Sequence, residues 1–262
     1  ADAVTVSLLS TPQGGVQWLP ELLAQLPADC RLAVLPEFCF GNDPQNAEAI
    51  VHAMTVACRD YPDLLLATTL CMPVAEGDAP EVVLVGAAGI VERQFQLHAT
   101  DPFPDICPAG GLNLVDVSWG RIALLTADDL RYPEVAKLAA IGGAQVLVVP
   151  GSLREPWEAS LGLPSRAAEN RLCLVYSSEP LEGCAGMIAD LERDFTIMTP
   201  WEERRFDGMI NQPLITAQSL EQPVTSACIH PIAATNKLMS ESTDLIQDRP
   251  WRLSGGLVAD IL

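Results

Sequence analysis

The chain has 262 residues, 49% of them hydrophobic, and carries 15 Lys and Arg against 34 Asp and Glu for a formal net charge of −19. That length and apolar content suit one large domain or two small ones, with an ample core, and the acidic balance argues against nucleic acid and anionic membrane surfaces, which both call for a basic patch. No apolar run is long enough to span a bilayer and no basic segment leads an apolar one at the N-terminus, so the chain is expected to be soluble and cytoplasmic.

Apolar strand-like runs alternate with helical stretches. Residues 4–9 read as a strand, and 16–26 as a helix, with Trp18, Leu19, Leu22, Leu23 and Leu26 at helical spacing. A strand over 31–35 ends at Pro36-Glu37. Asp43 is placed to cap a helix running to about 60, with Pro44 at its first position. A strand over 64–71 is followed by two hairpins. One joins 81–85 to 90–96 across Gly86-Ala87-Ala88-Gly89, the other joins 112–117 to 121–126 across Ser118-Trp119-Gly120. A helix from 133 to about 141 stops at Gly142-Gly143, ahead of a buried strand over 144–149. A helix over 157–170 breaks near Pro164. Strands are expected at 172–177, 185–191, 194–198 and 213–216, and a last helix at 232–238. The whole is read as a single domain over 1–262 with an irregular tail from about 241. Such alternation, interrupted by hairpins, suggests mixed sheets with helices outside, α/β or α+β.

Eight cysteines stand at 30, 39, 58, 71, 107, 173, 184 and 228, none in a CxxC pair and most in apolar surroundings. This is the usage of reduced, buried thiols. With only His52, His98 and His230, dispersed along the chain, no metal site and no cofactor are expected.

The most informative stretch is Leu124-Leu125-Thr126-Ala127-Asp128-Asp129-Leu130-Arg131-Tyr132-Pro133-Glu134. An apolar strand runs into a tight polar turn and a helix opening at Pro133, which is the form of a nucleophile elbow. Backbone N–H groups and a helix N-terminus at such a turn attract negative charge.

The elbow resembles the Cys-x-Asp-x-Arg-x-Pro-Glu core of the nitrilase, or carbon–nitrogen hydrolase, superfamily, with Ala127 where the family has its nucleophilic Cys. Three more anchors follow the family's order. They are Leu35-Pro36-Glu37-Phe38; Glu92-Arg93-Gln94-Phe95-Gln96-Leu97, similar to Tyr-Arg-Lys-x-His-Leu; and Arg166-Ala167-Ala168-Glu169-Asn170, close to Arg-Ala-x-Glu-Asn. The resemblance covers roughly residues 4 to 200 and implies a four-layer α-β-β-α sandwich with mixed sheets and helices outside, of class α+β. It makes Glu37 the general base, puts Gln94 in the slot of the oxyanion-stabilising Lys, and gives Asp128 the task of presenting its backbone N–H. Asp129, Arg131 and Glu134 become supports of the elbow, Arg131 and Glu134 through ion pairs or cap contacts. Arg166, Glu169 and Asn170 become ties between a helix and its neighbours. Association through helices flanking the elbow, as in the family, implies a homodimer or higher oligomer, with Tyr132, Trp157 and Trp251 as candidate contacts.

A methyl group cannot attack an amide or nitrile carbon, and a neutral amide lacks the charge of the Lys. The double replacement therefore points to a catalytically inactive pseudoenzyme that binds a small ligand or a partner. The alternative is an amidase or nitrilase-type hydrolase of non-peptide C–N bonds whose cysteine was exchanged for Ala127. Without the Lys, Glu37 is expected to lack a neutralising neighbour, to be raised in pKa if buried, and to favour a neutral or cationic ligand. Cys39, Cys107, Thr126 and Asp128 are the candidate substitutes for the nucleophile, but Cys39 reads as a buried thiol, Cys107 as a loop thiol, Thr126 as a residue facing away and Asp128 as a turn residue.

Overall fold

The computed structural model describes residues 3–11, 15–75, 77–100, 103, 110–191, 213–240 and 243–253. Two six-stranded mixed sheets carry the fold. The first, in the order β12-β1-β2-β3-β4-β5, takes β1 (Val4–Leu9), β2 (Cys30–Val34), β3 (Leu65–Val74), β4 (Gly77–Gly86), β5 (Gly89–Phe95) and β12 (Val224–Ile229). The second, β11-β10-β9-β8-β7-β6, takes β6 (Leu114–Val117), β7 (Gly120–Leu124), β8 (Val146–Pro150), β9 (Cys173–Ser177), β10 (Met187–Asp190) and β11 (Leu214–Ala217). In each sheet three central strands run parallel, β1-β2-β3 and β7-β8-β9. Their flanks are antiparallel.

The central strands are buried on both faces, which is why they read as continuous Val, Leu and Ala runs. One face of each sheet meets the other sheet in a single core that joins Val6, Leu8 and Val34 to Leu124, Val148 and Val175. The outer face of the first sheet is covered by α1 (Leu19–Leu23) and α2 (Ala47–Cys58), which bury Leu23, Ile50 and Met54. That of the second is covered by α4 (Pro133–Ile141) and α5 (Leu163–Asn170), with Val135, Ala139 and Ala167 inward. The layers therefore run α-β-β-α, as the motif resemblance implied.

Both hairpins and the Asp43 cap are present, Asp43 accepting from Gln45 N–H at 3.0 Å. Pro164 sits in the first turn of α5 behind a π-helical turn, Glu158–Gly162, so the expected break is instead a locally widened turn in a helix that continues through it. Elsewhere the chain departs from its sequence reading. The expected helix over 16–26 is a 3-10 turn plus the short α1. The expected helix over 232–238 is a 3-10 turn at Pro231–Thr235 followed by β13 (Leu238–Ser240). Pro231 opens that turn, and Lys237 and Leu238 leave it to pair with β14 (Thr243–Asp244), inside what was expected to be an irregular tail. Strand β12 was not foreseen. Its Thr, Ser and Cys gave little apolar contrast, and it is held by β1, more than 200 positions away in sequence. The strand expected at 194–198 and the loop thiol Cys107 lie outside the described residues.

Among the described residues no helix is long and apolar enough to cross a membrane. The seven described cysteines are free thiols.

Candidate active site

The carboxyl ends of the parallel strands gather at one edge of the sandwich, the place where α/β sheets present their ligand sites. Strand β2 leads there to Glu37, β7 to Ala127 and β8 to Gly151 and Ser152, while β9 ends in Tyr176 and Ser177. Cross-sheet hydrogen bonds stitch this edge. Glu37 N–H donates to Gly151 O at 3.1 Å, and Thr69 Oγ1 donates to Pro150 O at 3.0 Å.

At the elbow, β7 ends at Leu124 and Thr126 caps a one-turn helix, α3 (Ala127–Leu130), which the sequence reading merged into the turn. Thr126 Oγ1 accepts from Asp129 N–H at 3.3 Å and donates to Asp129 Oδ2 at 3.0 Å, so this hydroxyl is committed to the turn. The Asp129 carboxylate is fully buried and also accepts from the N–H groups of Leu97 and His98 at 3.0 Å, and is bonded to His98 Nδ1 at 2.9 Å. It thereby docks the chain leaving β5 onto the elbow. Arg131 pairs with Asp128 and, through Nε, with Glu158 at 2.8 Å. Arg166 closes the end of α3 by donating to Leu130 O at 3.0 Å and Arg131 O at 3.1 Å. Glu134 behaves differently from its expected role. It is exposed in the first turn of α4, and no hydrogen bond or ion pair joins its side chain to another described residue. Its contribution is limited to negative charge near a helix N-terminus.

Asp128 is not free for chemistry. Arg131, both oxygens' partner Arg154 Nη2 at 2.9 Å, and Thr100 Oγ1 at 3.1 Å occupy its carboxylate. Glu158 is buried and accepts from Arg131 Nε and from the N–H groups of Arg154 (2.7 Å) and Glu155 (3.2 Å). Burial alone would raise its pKa, but these hydrogen bonds win and hold it below the usual carboxylate range.

Glu37 follows β2 on a constrained backbone. Phe38, the next residue, adopts φ 52°, a left-handed conformation that costs a non-glycine residue about 1–3 kcal/mol and marks an over-determined spot. Ser152 Oγ donates to Glu37 Oε1, and Tyr176 OH donates to Ser152 O at 2.7 Å. Burial raises the Glu37 carboxyl above its ordinary 4.5, and the Ser152 hydrogen bond and the charges of Arg131 and Arg154 offset this only in part. The direction matches expectation, yet the premise does not: two guanidinium groups, supplied by the elbow and by the segment after β8, face Glu37 in place of the missing Lys. With Asp128 and Glu158 already opposite these arginines, ionised Glu37 leaves one negative charge in excess.

An acid whose folded-state pKa lies above its unfolded one retains more protons in the fold. Stability then falls as pH rises from about 4.5 through the raised value. Glu37→Gln is therefore expected to exceed the parent in urea-melt stability at about pH 7 and to lose that advantage at about pH 4. An equal difference at both pH values would show that the cost of ionising Glu37 is not the cause.

Gln94 is buried on β5, but its amide serves the backbone: Nε2 donates to Phe95 O (2.7 Å) and Gly111 O (3.2 Å), and Oε1 accepts from Asn113 N–H (2.7 Å). No described contact joins it to Glu37 or Ala127. Cys39 sits against Thr68 Oγ1 at 3.7 Å, and burial pushes its pKa up to about 12, which leaves it an unreactive thiol.

Ala127 itself is buried and lines a cavity of about 120 Å³ with Leu130, Arg131, Trp157, Glu158, Leu163 and Tyr176 among its walls. The π-helical turn forms part of that wall, and Trp157 stands 56% exposed beside it. The lining is largely apolar with a few convergent polar groups, the make-up of a small-molecule site. Among the described residues no cluster of His, Cys, Asp and Glu could hold a metal ion. Ser152, Arg154 and Tyr176 carry no motif, and their place here depends on the sheet order.

No protein-family model matches the chain. It is 29% identical over 178 residues to a deaminated glutathione amidase of Escherichia coli, covering 58% of this chain and 66% of that protein. It is 31% identical over 128 residues to the putative protein YbeM of Escherichia coli, covering 42% of this chain and 65% of that protein. The chain thus spans just under two thirds of the length of each. Among solved structures it superposes on an amidase from Nesterenkonia sp. with a TM-score of 0.72 at 17% identity, over 97% of this chain and 96% of that one. It also superposes on an alanine-for-cysteine mutant of that amidase in complex with butyramide, with a TM-score of 0.70 at 18% identity, over 97% and 96%. The chain has the nitrilase-type α-β-β-α fold and amidase-like relatives.

Proposed function

We propose that this nitrilase-fold chain is a pseudoenzyme toward amides and nitriles, which holds a small neutral amide-like ligand in the cavity at Ala127. The observation that carries this reading is the intact cavity and elbow around a side chain that has no nucleophilic atom. The excess negative charge beside Glu37 disfavours anions, and the apolar walls suit a short aliphatic body. Butyramide, seen in the alanine-for-cysteine mutant of the Nesterenkonia amidase, is the natural probe. It is expected to bind in the millimolar range, about −4 kcal/mol, which is reasonable for so few heavy atoms. Calorimetry or Trp157 fluorescence should register this, Ala127→Leu should abolish it by filling the cavity, and butyrate should bind more weakly. Steady release of ammonia that is lost on Glu37→Gln would sink the reading.

A self-association face completes the proposal. Tyr132, Leu138, Ile141, Trp157 and Leu161 are large apolar side chains left exposed on and beside α4, between 41% and 65%. Such a cluster suits burial against a second copy. Light scattering is expected to give at least a dimer, and a monomer at all concentrations would exclude it.

A further inference from the structure

Ser152 carries a hydroxyl at this edge that meets a carboxylate outside the elbow. Its Oγ donates to Glu37 Oε1, both side chains are only partly buried, and neither oxygen is taken up in the Asp128–Arg131–Glu158 network. The pair is clamped on both sides. Glu37 N–H is held by Gly151 O (3.1 Å), Gly151 N–H by Ser177 O (2.9 Å), and Ser152 O by Tyr176 OH (2.7 Å). Gly151 permits the last contact, because a Cβ there would lie 2.5 Å from Tyr176 Cζ. Glu37 and Ser152 lie behind the cavity at Ala127 and do not line it, and Tyr176, which lines it and donates to Ser152 O, is the contact between the two.

We propose that Ser152 and Glu37 form a nucleophile–base dyad that accepts acyl groups from activated esters bound at the cavity. The Ser152 Oγ–carbon bond forms as the Oγ proton passes to Glu37 and the carbonyl electron pair moves onto its oxygen. The tetrahedral adduct collapses by breaking the bond to the leaving oxygen, which departs with the proton from Glu37. Water then attacks the acyl-serine, giving its proton to Glu37, and Ser152 is released as the hydroxyl with a carboxylic acid as product. A carboxylate raised by burial is a better match to this proton transfer than an ordinary one. An amide, whose nitrogen leaves far less readily than an activated oxygen, is not expected to react, so the dyad is compatible with inertness toward amides. The proposal rests on the cavity's holding a short acyl ligand.

The test uses the full chain with 4-nitrophenyl acetate, followed by intact mass and peptide mapping. One acetyl group is expected on the peptide carrying Ser152, with a nitrophenol burst, and none there in Ser152→Ala. Glu37→Gln should slow acylation by about 10²–10⁴-fold, the usual worth of a general base. The parent rate should rise with pH through a midpoint above the ordinary carboxylate range. Ser152→Cys keeps the geometry with a stronger nucleophile and is expected to acylate faster. The proposal is overturned if Ser152 stays unmodified in the parent, or if Glu37→Gln acylates Ser152 at the parent rate. Butyramide titration of Ser152→Ala separates the two readings: binding retained with no acylation of the parent rejects the dyad alone, and binding absent in both proteins rejects the ligand site.

Discussion

Asp129→Ala is expected to lower folding stability by about 3–5 kcal/mol, the usual cost of deleting one partner from a buried charged network. The carboxylate is fully buried and accepts from Leu97 N–H, His98 N–H and Thr126 Oγ1, besides its bond to His98 Nδ1. Its removal leaves donors without an acceptor inside the protein, and each such group carries its own desolvation penalty. A domain of ordinary stability has only about 5–15 kcal/mol in total, so the variant should melt at a much lower urea concentration. Asp129→Asn keeps the shape and one acceptor and should fall between the two. Glu134→Ala, five residues along the same motif but exposed, should change stability by less than about 0.5 kcal/mol. Similar losses at Asp129 and Glu134 would mean that the motif acts as a unit and not through the buried carboxylate.

Ala127→Cys addresses the chemistry. In a working covalent hydrolase the nucleophile is worth about 10⁶-fold in turnover. The expected result is that neither Ala127→Cys nor its combination with Gln94→Lys recovers a gain of that size on short amides and nitriles. A thiol at 127 would stand on the cavity wall at the start of α3. Its charge environment would still be that of this chain: Arg131 and Arg154 are matched by Asp128 and Glu158, and Glu37 is bonded to Ser152. Lysine at 94 also cannot accept from Asn113 N–H, so the double variant loses a hydrogen bond that Gln94 now makes. Alkylation with iodoacetamide, mapped by peptide, checks that the new thiol is reachable. Cys39, Cys58 and Cys173 give little background, since burial pushes their pKa values up to about 12, 11 and 12. A full recovery in the single variant would identify Ala127 as an exchanged cysteine and the chain as an amidase.

Much of the architecture was legible because its signals are local. Central strands buried on both faces read as apolar runs, and Asp43 and Pro44 mark a helix start within four residues. The elbow was legible for the same reason: strand, polar turn and Pro133 follow one another along eleven residues, while the Thr126 cap and the one-turn α3 inside that turn were not distinguished from it. Gln94 shows the limit. Its slot in a motif suggested a place in the site, whereas its amide is engaged with the backbone of Phe95, Gly111 and Asn113.

By itself the sequence determined mixed sheets with helices outside, the α-β-β-α layering through its motif resemblance, the elbow around Ala127, and the absence of a nucleophilic atom at that position. Only the tertiary structure decided what surrounds Glu37. Ser152 lies 115 positions from it and Arg154 further still, and they meet because β2 and β8 end at the same edge of two stacked sheets. Strand order and sheet stacking are set by the summed burial of many apolar side chains, and no single polar residue carries that information in its own neighbourhood. The charge and hydrogen-bonding partners of Glu37 are therefore consequences of the packing, while its place at the end of a strand was readable from Pro36-Glu37.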